Sequence, residues 1–533
     1  MYALLYCFKM IRFIIFLVFN MFCIQAITQD TYSRRYHLNF SEAIFAGIEL
    51  LDDNFFVSSV VVDSLSPFRE GSSIALFDES GNLSWSKASV YTSKDHATWS
   101  NVLKYYDQHL YALGYSFDPA MKALLIKYNL AGEVVWEREV TSFIQPDAFY
   151  RFNDLFINND KLYITGDNVV YEGLPYDGAA IFVVYNTEGE VLMEHDYGEP
   201  IWSDHSECIV SLNDSILILG GSREKTYMQD KDFDYQTQLI AVDTMGEVLW
   251  QWRSPEDQLQ QGAQSMVATP DGGLIVVTAL GTEEFINAES TYIAWDCYIF
   301  KLNSDLEEEW GTVVADGIPN PLHKLMKVIP VSDGSGYLAV GIQGVTYTDG
   351  DINEENAADI GGYLVKISPE GEKLWTRVII HPDLPTFIEY HELYDVAETT
   401  DGGFLAVGRS VDLSGTEEVP SQGWLLKVDE YGCLVPGCHL VSSAEDPREL
   451  PQLLLYPNPV EDVLNVYLGP WTNEKEVTFR IVDVQGKVWQ KRRATVADAT
   501  YLLAVNQLSA GAYFLQLIDV SGQVLNSKQF IKP

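Results

Sequence analysis

LIAVDTMGEVLW, residues 239–250, is the stretch on which the reading of the fold turns. An apolar run ends in Asp243; after two intervening residues comes Gly246, and after three more comes Trp250. The phrase recurs as IALFDESGNLSW ending at Trp85, LLIKYNLAGEVVW at Trp136 and FVVYNTEGEVLM at Met193. It returns as YIFKLNSDLEEEW at Trp310, YLVKISPEGEKLW at Trp375 and WLLKVDEYGCLVP at Pro436. The polar turn residue is present in every copy: Asp78, Asn129, Asn186, Asp243, Asn303, Ser368 and Asp429. Gly follows three later in six of the seven, Leu306 being the exception. Intervals between turn residues are 51, 57, 57, 60, 65 and 61.

This is hairpin chemistry. The Asp or Asn side chain bonds the backbone just ahead of it, and Gly supplies the positive φ that closes the turn. A second hairpin precedes each phrase, clearest at ETTDGGFLAVG (398–408) and VSDGSGYLAVG (331–341), and fainter at ILILG, LYITG and LYALG. Two hairpins make four strands. Four-stranded units of this length, seven times over, predict an all-β chain with a seven-bladed β-propeller. Solenoid repeats usually run about 20–45 residues and need end caps, so they fit less well. The tryptophans read as packing residues between blades. The phrase resembles the tryptophan-docking repeat of quinoprotein-type propellers, with the Asp-to-Gly gap one residue shorter. That shortening, and the lack of a cofactor-binding segment, count against a quinone-dependent oxidoreductase.

Working outward, Lys9 and Arg12 precede the apolar run Phe13–Ile24, which ends near Ala26. That is the pattern of a cleaved export signal over 1–26, too short for a comfortable transmembrane helix. Either Met1 or Met10 could start it. No later segment is apolar enough to span. The propeller is expected over 27–441, a linker over 442–450, and a small Ig-like β-sandwich over 451–533. The seventh repeat lacks its outer strand, since Pro436 stands where Trp is expected. The alternating Tyr32–Phe40, YSRRYHLNF, is expected to supply that strand and remove an exposed edge.

The whole chain carries 34 Lys+Arg against 76 Asp+Glu, a net of −42. Residues 451–533 hold eight basic and seven acidic residues, whereas 27–450 hold 24 and 69, a net of −45. A body this acidic repels phosphate backbones, which excludes nucleic acid as a partner. Loss of Cys7 and Cys23 with the signal leaves four cysteines. Cys433 and Cys438 bracket a tight Pro436-Gly437 turn and are expected to pair, while Cys208 and Cys297 are expected to be buried thiols.

The C-terminal segment reads LLLYPNPVEDVLNVYLG, VTFRIVDVQGKVWQ and LSAGAYFLQLIDVSGQVLNSKQFIKP. Tyr456, Pro457, Asn458 and Pro459 open it, Asp483 and Gly486 mark a turn, and Leu508, Gly511 and Tyr513 enter a strand before the Phe530-Ile531-Lys532 finish. These motifs resemble the type A C-terminal sorting domain of the type IX (Por) secretion system. The resemblance implies partnership with that machinery, outer-membrane translocation in a Gram-negative bacterium, and cargo either released or held at the cell surface.

Candidate sites come from loop lengths. Between second and third strands the count is 18 residues in repeat four (221–238), 19 in repeat five (279–297) and 21 in repeat six (342–362), against 8 in repeat two. These long loops share one face, and long loops on a rigid scaffold carry function. The expected ligand face comprises Tyr227, Asp230, Asp232, Asp234, Phe285, Trp295, Tyr347, Asp349 and Asp351. The mix of aromatics and carboxylates suits a glycan or a protein partner. Calcium is the only cofactor suggested: Asp230, Asp232 and Asp234 alternate like a calcium loop, but Tyr235 and Ala241 replace the Gly and acid that such a loop needs. His205, His323 and His391 each stand five residues before a valine, with His96 nearby, and would have to converge to hold a metal. No nucleophile elbow, HExxH, phosphate loop or paired CxxC occurs. The reading is a secreted or surface-displayed binding propeller, with an extracellular carbohydrate-active enzyme as the alternative.

Overall fold

The computed structural model describes residues 30–533 except 142–147, 171–177, 200–201, 226–234, 257, 287–290, 316–322, 345–359, 380–388, 413–419, 435–437, 439–452, 457, 461–462, 469–475, 484–486, 496–499 and 519–523. The signal segment 1–26 and the linker 442–450 lie outside the described residues. Two compact units emerge, Met1–Pro436 and Gly437–Pro533.

The first unit is all-β and propeller-like: up-and-down antiparallel sheets follow one another along the chain. They span 42–89, 95–140, 148–197, 202–253, 265–313, 324–379 and 389–428, here sheets 1 to 7. Sheets 6 and 7 touch through one parallel pair, Ile360 with Tyr390. Sheet 7 has three strands of its own. Its fourth is Tyr32–Tyr36, antiparallel to Gln422–Val428, with Tyr32 opposite Lys427 and Tyr36 opposite Gly423. The strand stops short of Phe40 because Leu38 and Asn39 take left-handed φ values of 50° and 66° in a turn.

Each repeated phrase folds through the same local bonds. Asn129 Oδ1 accepts the amides of Ala131 and Glu133 at 3.0 and 2.9 Å, and Ser368 Oγ accepts those of Glu370 and Glu372 at 3.2 and 3.1 Å. The glycine lies at φ between 72° and 86° in the six copies that have one, and Leu306 adopts 65° in its place.

Two sets of contacts join neighbouring sheets. At the outer edge an aromatic ring lies on the turn glycine of the next sheet. A Cβ on Gly132, Gly371 or Gly432 would fall 2.4–2.6 Å from Trp85, Trp310 or Trp375. Trp136 and Trp310 also donate Nε1–H to the carbonyls of Thr187 and Pro369, at 3.2 and 3.1 Å. His195 covers Gly246, and Tyr32 covers Gly81.

Nearer the inner strands, a glycine in the second strand presses on a carbonyl of the first. A Cβ on Gly114, Gly166, Gly221, Gly341 or Gly408 would fall within 2.0 Å of the carbonyl oxygen of Ala97, Arg151, His205, Lys324 or Glu392. These carbonyls mark one repeat position. Three residues on comes a side chain that reaches the next sheet. Ser100 Oγ donates to Phe152 O at 2.6 Å, and Cys208 Sγ–H to Ala263 O at 3.4 Å. Asp154 Oδ2 accepts the Ile209 amide at 3.0 Å. Ser265, at the same place in sheet 5, accepts the Val328 amide at 3.2 Å. Asp395 Oδ2 accepts the Ile48 amide at 3.0 Å, so sheet 7 reaches sheet 1 by the bond that links 3 to 4. Phe45, Phe77, Leu405, Val407 and Leu425 share a buried cluster across that junction, each fully buried side chain being worth roughly 1.5–3 kcal/mol.

The second unit has a three-stranded sheet (Leu453–Tyr456, Val463–Leu468, Thr500–Ala504) and a four-stranded one (Glu476–Asp483, Val488–Thr495, Gly511–Ile518, Val524–Lys532). Both sheets contribute to one core that includes Leu464, Val466, Phe479, Leu515 and Phe530.

Candidate functional site

Connections between second and third strands differ widely along the chain. Sheet 2 has only 118–120 between Phe117 and Met121, whereas sheet 4 has 226–234 and sheet 6 has 345–359. In sheet 5 the expected loop 279–297 is mostly strand: Leu274–Ile286 pairs with Thr291–Leu302 as an extended hairpin. The long-range pairing of apolar, β-branched residues overrides the loop reading there.

Of the expected ligand face, Tyr227, Asp230, Asp232, Asp234, Tyr347, Asp349 and Asp351 lie outside the described residues. Phe285 stands in a strand opposite Tyr292. Trp295 needs correction, because it is 8% exposed and packed with Ala279, Leu259 and Tyr235, its ring centroid 5.9 Å from Tyr235. It supports the hairpin and offers no open surface.

The histidines divide into two positions. The carbonyl contacts above align His96, His323 and His391, whereas His205 falls one residue later, with Lys324 and Glu392. Counting to the next valine misses this, because Val328 and Val396 pair two residues before the second-strand glycine, a place that Ile209 holds in sheet 4, with Val210 one residue further on; one residue reverses a side chain's face. His96 and His391 are fully buried. His96 Nδ1 lies 2.9 Å from Ser72 Oγ, and its Nε2 is 3.1 Å from Glu137. His391 Nε2 lies 3.1 Å from Ser410 Oγ, and its ring packs on Trp424. His96 is thus held at the junction of sheets 1 and 2, and His391 within sheet 7. Among the described residues no group of three or more His, Cys, Asp or Glu is arranged to hold a metal.

His205 belongs to a polar cluster between sheets 3 and 4. Asp167 is buried and accepts from Arg151 Nε at 2.8 Å, Asn153 Nδ2 at 3.1 Å and the Ser206 amide at 2.9 Å. His205 Nδ1 is 3.4 Å from Asp167 Oδ1, the oxygen that also accepts the Ser206 amide. Burial opposes the Asp167 charge, but His205 and Arg151 hold its carboxyl below the usual range. Asp167 in turn raises His205 against burial. Burial, reinforced by Asp167, pushes Glu207 up, and burial does the same to Glu224.

Ser203 Oγ lies 3.0 Å from His205 Nε2, so Ser, His and Asp stand in a row. They do not form a nucleophile with its base. Ser203 is buried, and a Cβ on Gly178 would lie 2.7 Å from its Oγ, which leaves no room for an acyl group. The upward shift that Asp167 gives His205 also favours the protonated ring, which has no lone pair with which to take the serine proton.

A second charged group involves the inner strands of sheets 1, 2, 3, 6 and 7. Burial pushes Glu49 up to about 7, with Lys104 partly offsetting it. Burial works against Lys327, yet Asp154 and Asp395 raise its pKa. Asp395 is pushed up by burial in spite of Lys327 and Lys104. Sequence reasoning missed this group. The recurrent second-strand glycine was its only trace.

In the C-terminal unit the two ends of the sorting motif meet. Asn458 Oδ1 accepts the Ile531 amide at 2.7 Å, and Val460 donates to Ile531 O at 2.8 Å. Tyr513 donates to Ser509 O at 2.9 Å and stacks on Phe530 at 5.7 Å. Gly511 sits at φ 155°. Tyr456 lies in the first strand, whereas Pro457 and Gly486 are outside the described residues. Residues 454–532 match the family described as secretion system C-terminal sorting domain. The protein is secreted or displayed at the surface of a Gram-negative bacterium. No helix among the described residues is long and apolar enough to cross a membrane.

No curated protein matches the sequence significantly. Similar solved structures include a lignostilbene dioxygenase from Pseudomonas brassicacearum (11% identity, TM-score 0.38, 75% of this chain and 92% of that one). A Trypanosoma rangeli sialidase mutant is 9% identical, with a TM-score of 0.35 over 82% of this chain and 85% of its own. A Bombyx mori GH32 beta-fructofuranosidase is 12% identical, with a TM-score of 0.31 over 72% and 86%. Likeness this distant assigns no activity.

Cys433 and Cys438 are disulfide-bonded, and Cys208 and Cys297 are buried free thiols.

Proposed function

We propose that sheets 1 to 7 form a closed seven-bladed propeller of the tryptophan-docking type, carried outward by an Ig-like sorting sandwich, and that its long-loop face binds a partner. Closure is supported by Tyr32–Tyr36 completing sheet 7 and by the Asp395–Ile48 bond. The binding reading rests on one observation. Hairpin turns within the sheets stay short on one side, while connections of nine (226–234) and fifteen (345–359) residues fall on the other. A rigid ring with long loops on one face is a recognition scaffold. A glycan is preferred over a protein, because the loops mix aromatics, carboxylates and amides. Residues 221–225 and 235–238 are strand, so the test should spare them. Replacing 226–234 and 345–359 by short turns should abolish binding on glycan arrays and to cell surfaces. A folded graft that binds like the wild type would place the function elsewhere.

An extracellular carbohydrate-active enzyme is the second reading. It is favoured by Glu207 and Glu224, carboxyls raised by burial beside an ionised Asp167, the divergence that acid and base partners need. Polysaccharide hydrolysis lost in Glu207→Gln or Glu224→Gln would support it. No turnover across a polysaccharide panel would remove it.

A further inference from the structure

At the foot of the 226–234 connection two guanidinium groups share one carboxylate. Arg223 Nη2 donates to Glu199 Oε2 at 2.7 Å, and Arg253 Nη2 to Glu199 Oε1 at 2.9 Å. The two arginines come from the second and outer strands of sheet 4, whereas Glu199 lies on the connection from sheet 3. The cations are braced and the acid is not. The Arg223 side chain is 4% exposed, and its guanidinium carbon sits 4.1 Å from the ring centroid of Trp202. Arg253 Nε donates to Gln238 Oε1 at 3.1 Å, and Gln238 in turn donates to Asp204 at 3.1 Å. The Glu199 side chain is 53% exposed. In an ordinary surface ion pair both long side chains are mobile. Here a rigid basic clamp grips a half-exposed carboxylate.

The clamp is also incomplete. Arg223 Nη1 is buried and has no acceptor among the described residues. A buried guanidinium N–H without an acceptor is costly and rarely tolerated without a reason. The local balance is two guanidiniums against Glu199 and Asp204, and burial raises the Asp204 carboxyl toward its neutral form.

We propose that Glu199 stands in for a ligand carboxylate, and that Arg223 and Arg253 with Trp202 form a subsite for the acid group of a short uronic-acid oligosaccharide. The inference rests on the glycan reading above and names its ligand class. A planar guanidinium pair matches a carboxylate's two oxygens, and the adjacent indole gives a sugar ring an apolar wall.

The test uses the full mature protein, with trigalacturonate as probe, cellotriose as its neutral counterpart and a triglutamate peptide as the non-sugar acid. Binding is read by tryptophan fluorescence and calorimetry. Trigalacturonate should bind at least about tenfold tighter than either counterpart, and Arg253→Ala or Arg223→Lys should lose about tenfold. Glu199→Gln should bind about five- to tenfold tighter, because the internal competitor is gone while the clamp remains. Glu199→Asp, too short to bridge both arginines, should do the same if the Gln variant folds poorly. A folded Glu199 variant that binds no better than wild type would make Glu199 a structural brace and overturn the idea, as would absence of trigalacturonate binding. Equal binding of the peptide would overturn the saccharide class. Neutral glycans that still need the 226–234 and 345–359 loops but ignore Arg253→Ala would leave the face reading intact while this subsite falls.

Discussion

Asp395 shows how much one position in an inner strand carries. Its carboxylate accepts the Ile48 amide across the junction of sheets 7 and 1 and is a neighbouring charge to Lys327. Removing it leaves an amide without its acceptor and deprives a buried cation of one partner. Asp395→Ala should therefore cost about 3 kcal/mol in urea unfolding, and Asp395→Asn, which can still accept the amide bond, clearly less. Equal losses in the two would mean that the hydrogen bond is unimportant. Glu49 makes a different prediction. Burial lifts its pKa to about 7, above the ordinary value of 4.5, so the folded state holds a proton that the unfolded chain has lost. The stability tied to that proton is complete below about pH 4.5 and drains away as pH rises through 7. Lys104, Lys327 and Asp395 are the charges that face it. Between pH 5 and 8 the wild type should lose roughly 2 kcal/mol relative to Glu49→Gln. Parallel pH profiles of the two proteins would show instead that Glu49 ionises freely.

The element that matters most is a short one. Tyr32–Tyr36 gives sheet 7 its outer strand and also grips sheet 1: Tyr32 covers Gly81, Tyr36 donates its hydroxyl to Gly81 O, and Arg34 Nη1 reaches Asn82 Oδ1 at 2.8 Å. Trp424 Nε1–H donates to Ser33 Oγ at 2.9 Å from inside sheet 7. Tyr32 thus occupies the place that Trp85 holds at the junction of sheets 1 and 2. Tyr32→Ala should cost about 2 kcal/mol, close to Trp85→Ala. It should also speed amide exchange in Gln422–Val428 more than in the second strand of sheet 4. A silent Tyr32→Ala beside a destabilising Trp85→Ala would show that the junction of sheets 7 and 1 does not depend on this strand.

For the molecule as a whole, charge and burial separate export from recognition. The acidic segment 27–450 has its own cores, and the near-neutral C-terminal unit has another. Removing 451–533 should leave a folded first unit that keeps its β-sheet circular dichroism and stays inside the cell envelope on fractionation. Its appearance in the medium at wild-type levels would mean that export does not depend on this unit. Net charge keeps the body away from anionic surfaces, so retention at the cell surface should depend on the sorting step and resist high salt.

What the sequence by itself determined is what short-range bonding determines. The Asp, Asn or Ser that accepts amides two and four residues on, and the glycine at positive φ, encode each hairpin within five residues. The period, the strand count per repeat and the sorting motif were therefore legible, and so was the Tyr32 strand, whose alternation lacks a hairpin partner. Even Leu306 keeps the turn, because the surrounding bonds force its φ to 65°. Only the tertiary structure decided which side chains meet across sheets. The strand register sets Ile209, and not Val210, where Val328 and Val396 stand, which put His205 beside Asp167 and not with the other histidines. Pairing of long strands in sheet 5 made Trp295 a buried support. Arg223, Arg253 and Glu199 meet although up to 54 residues separate them. Such contacts depend on register and packing summed over distant strands, and no local pattern of residue types carries that information.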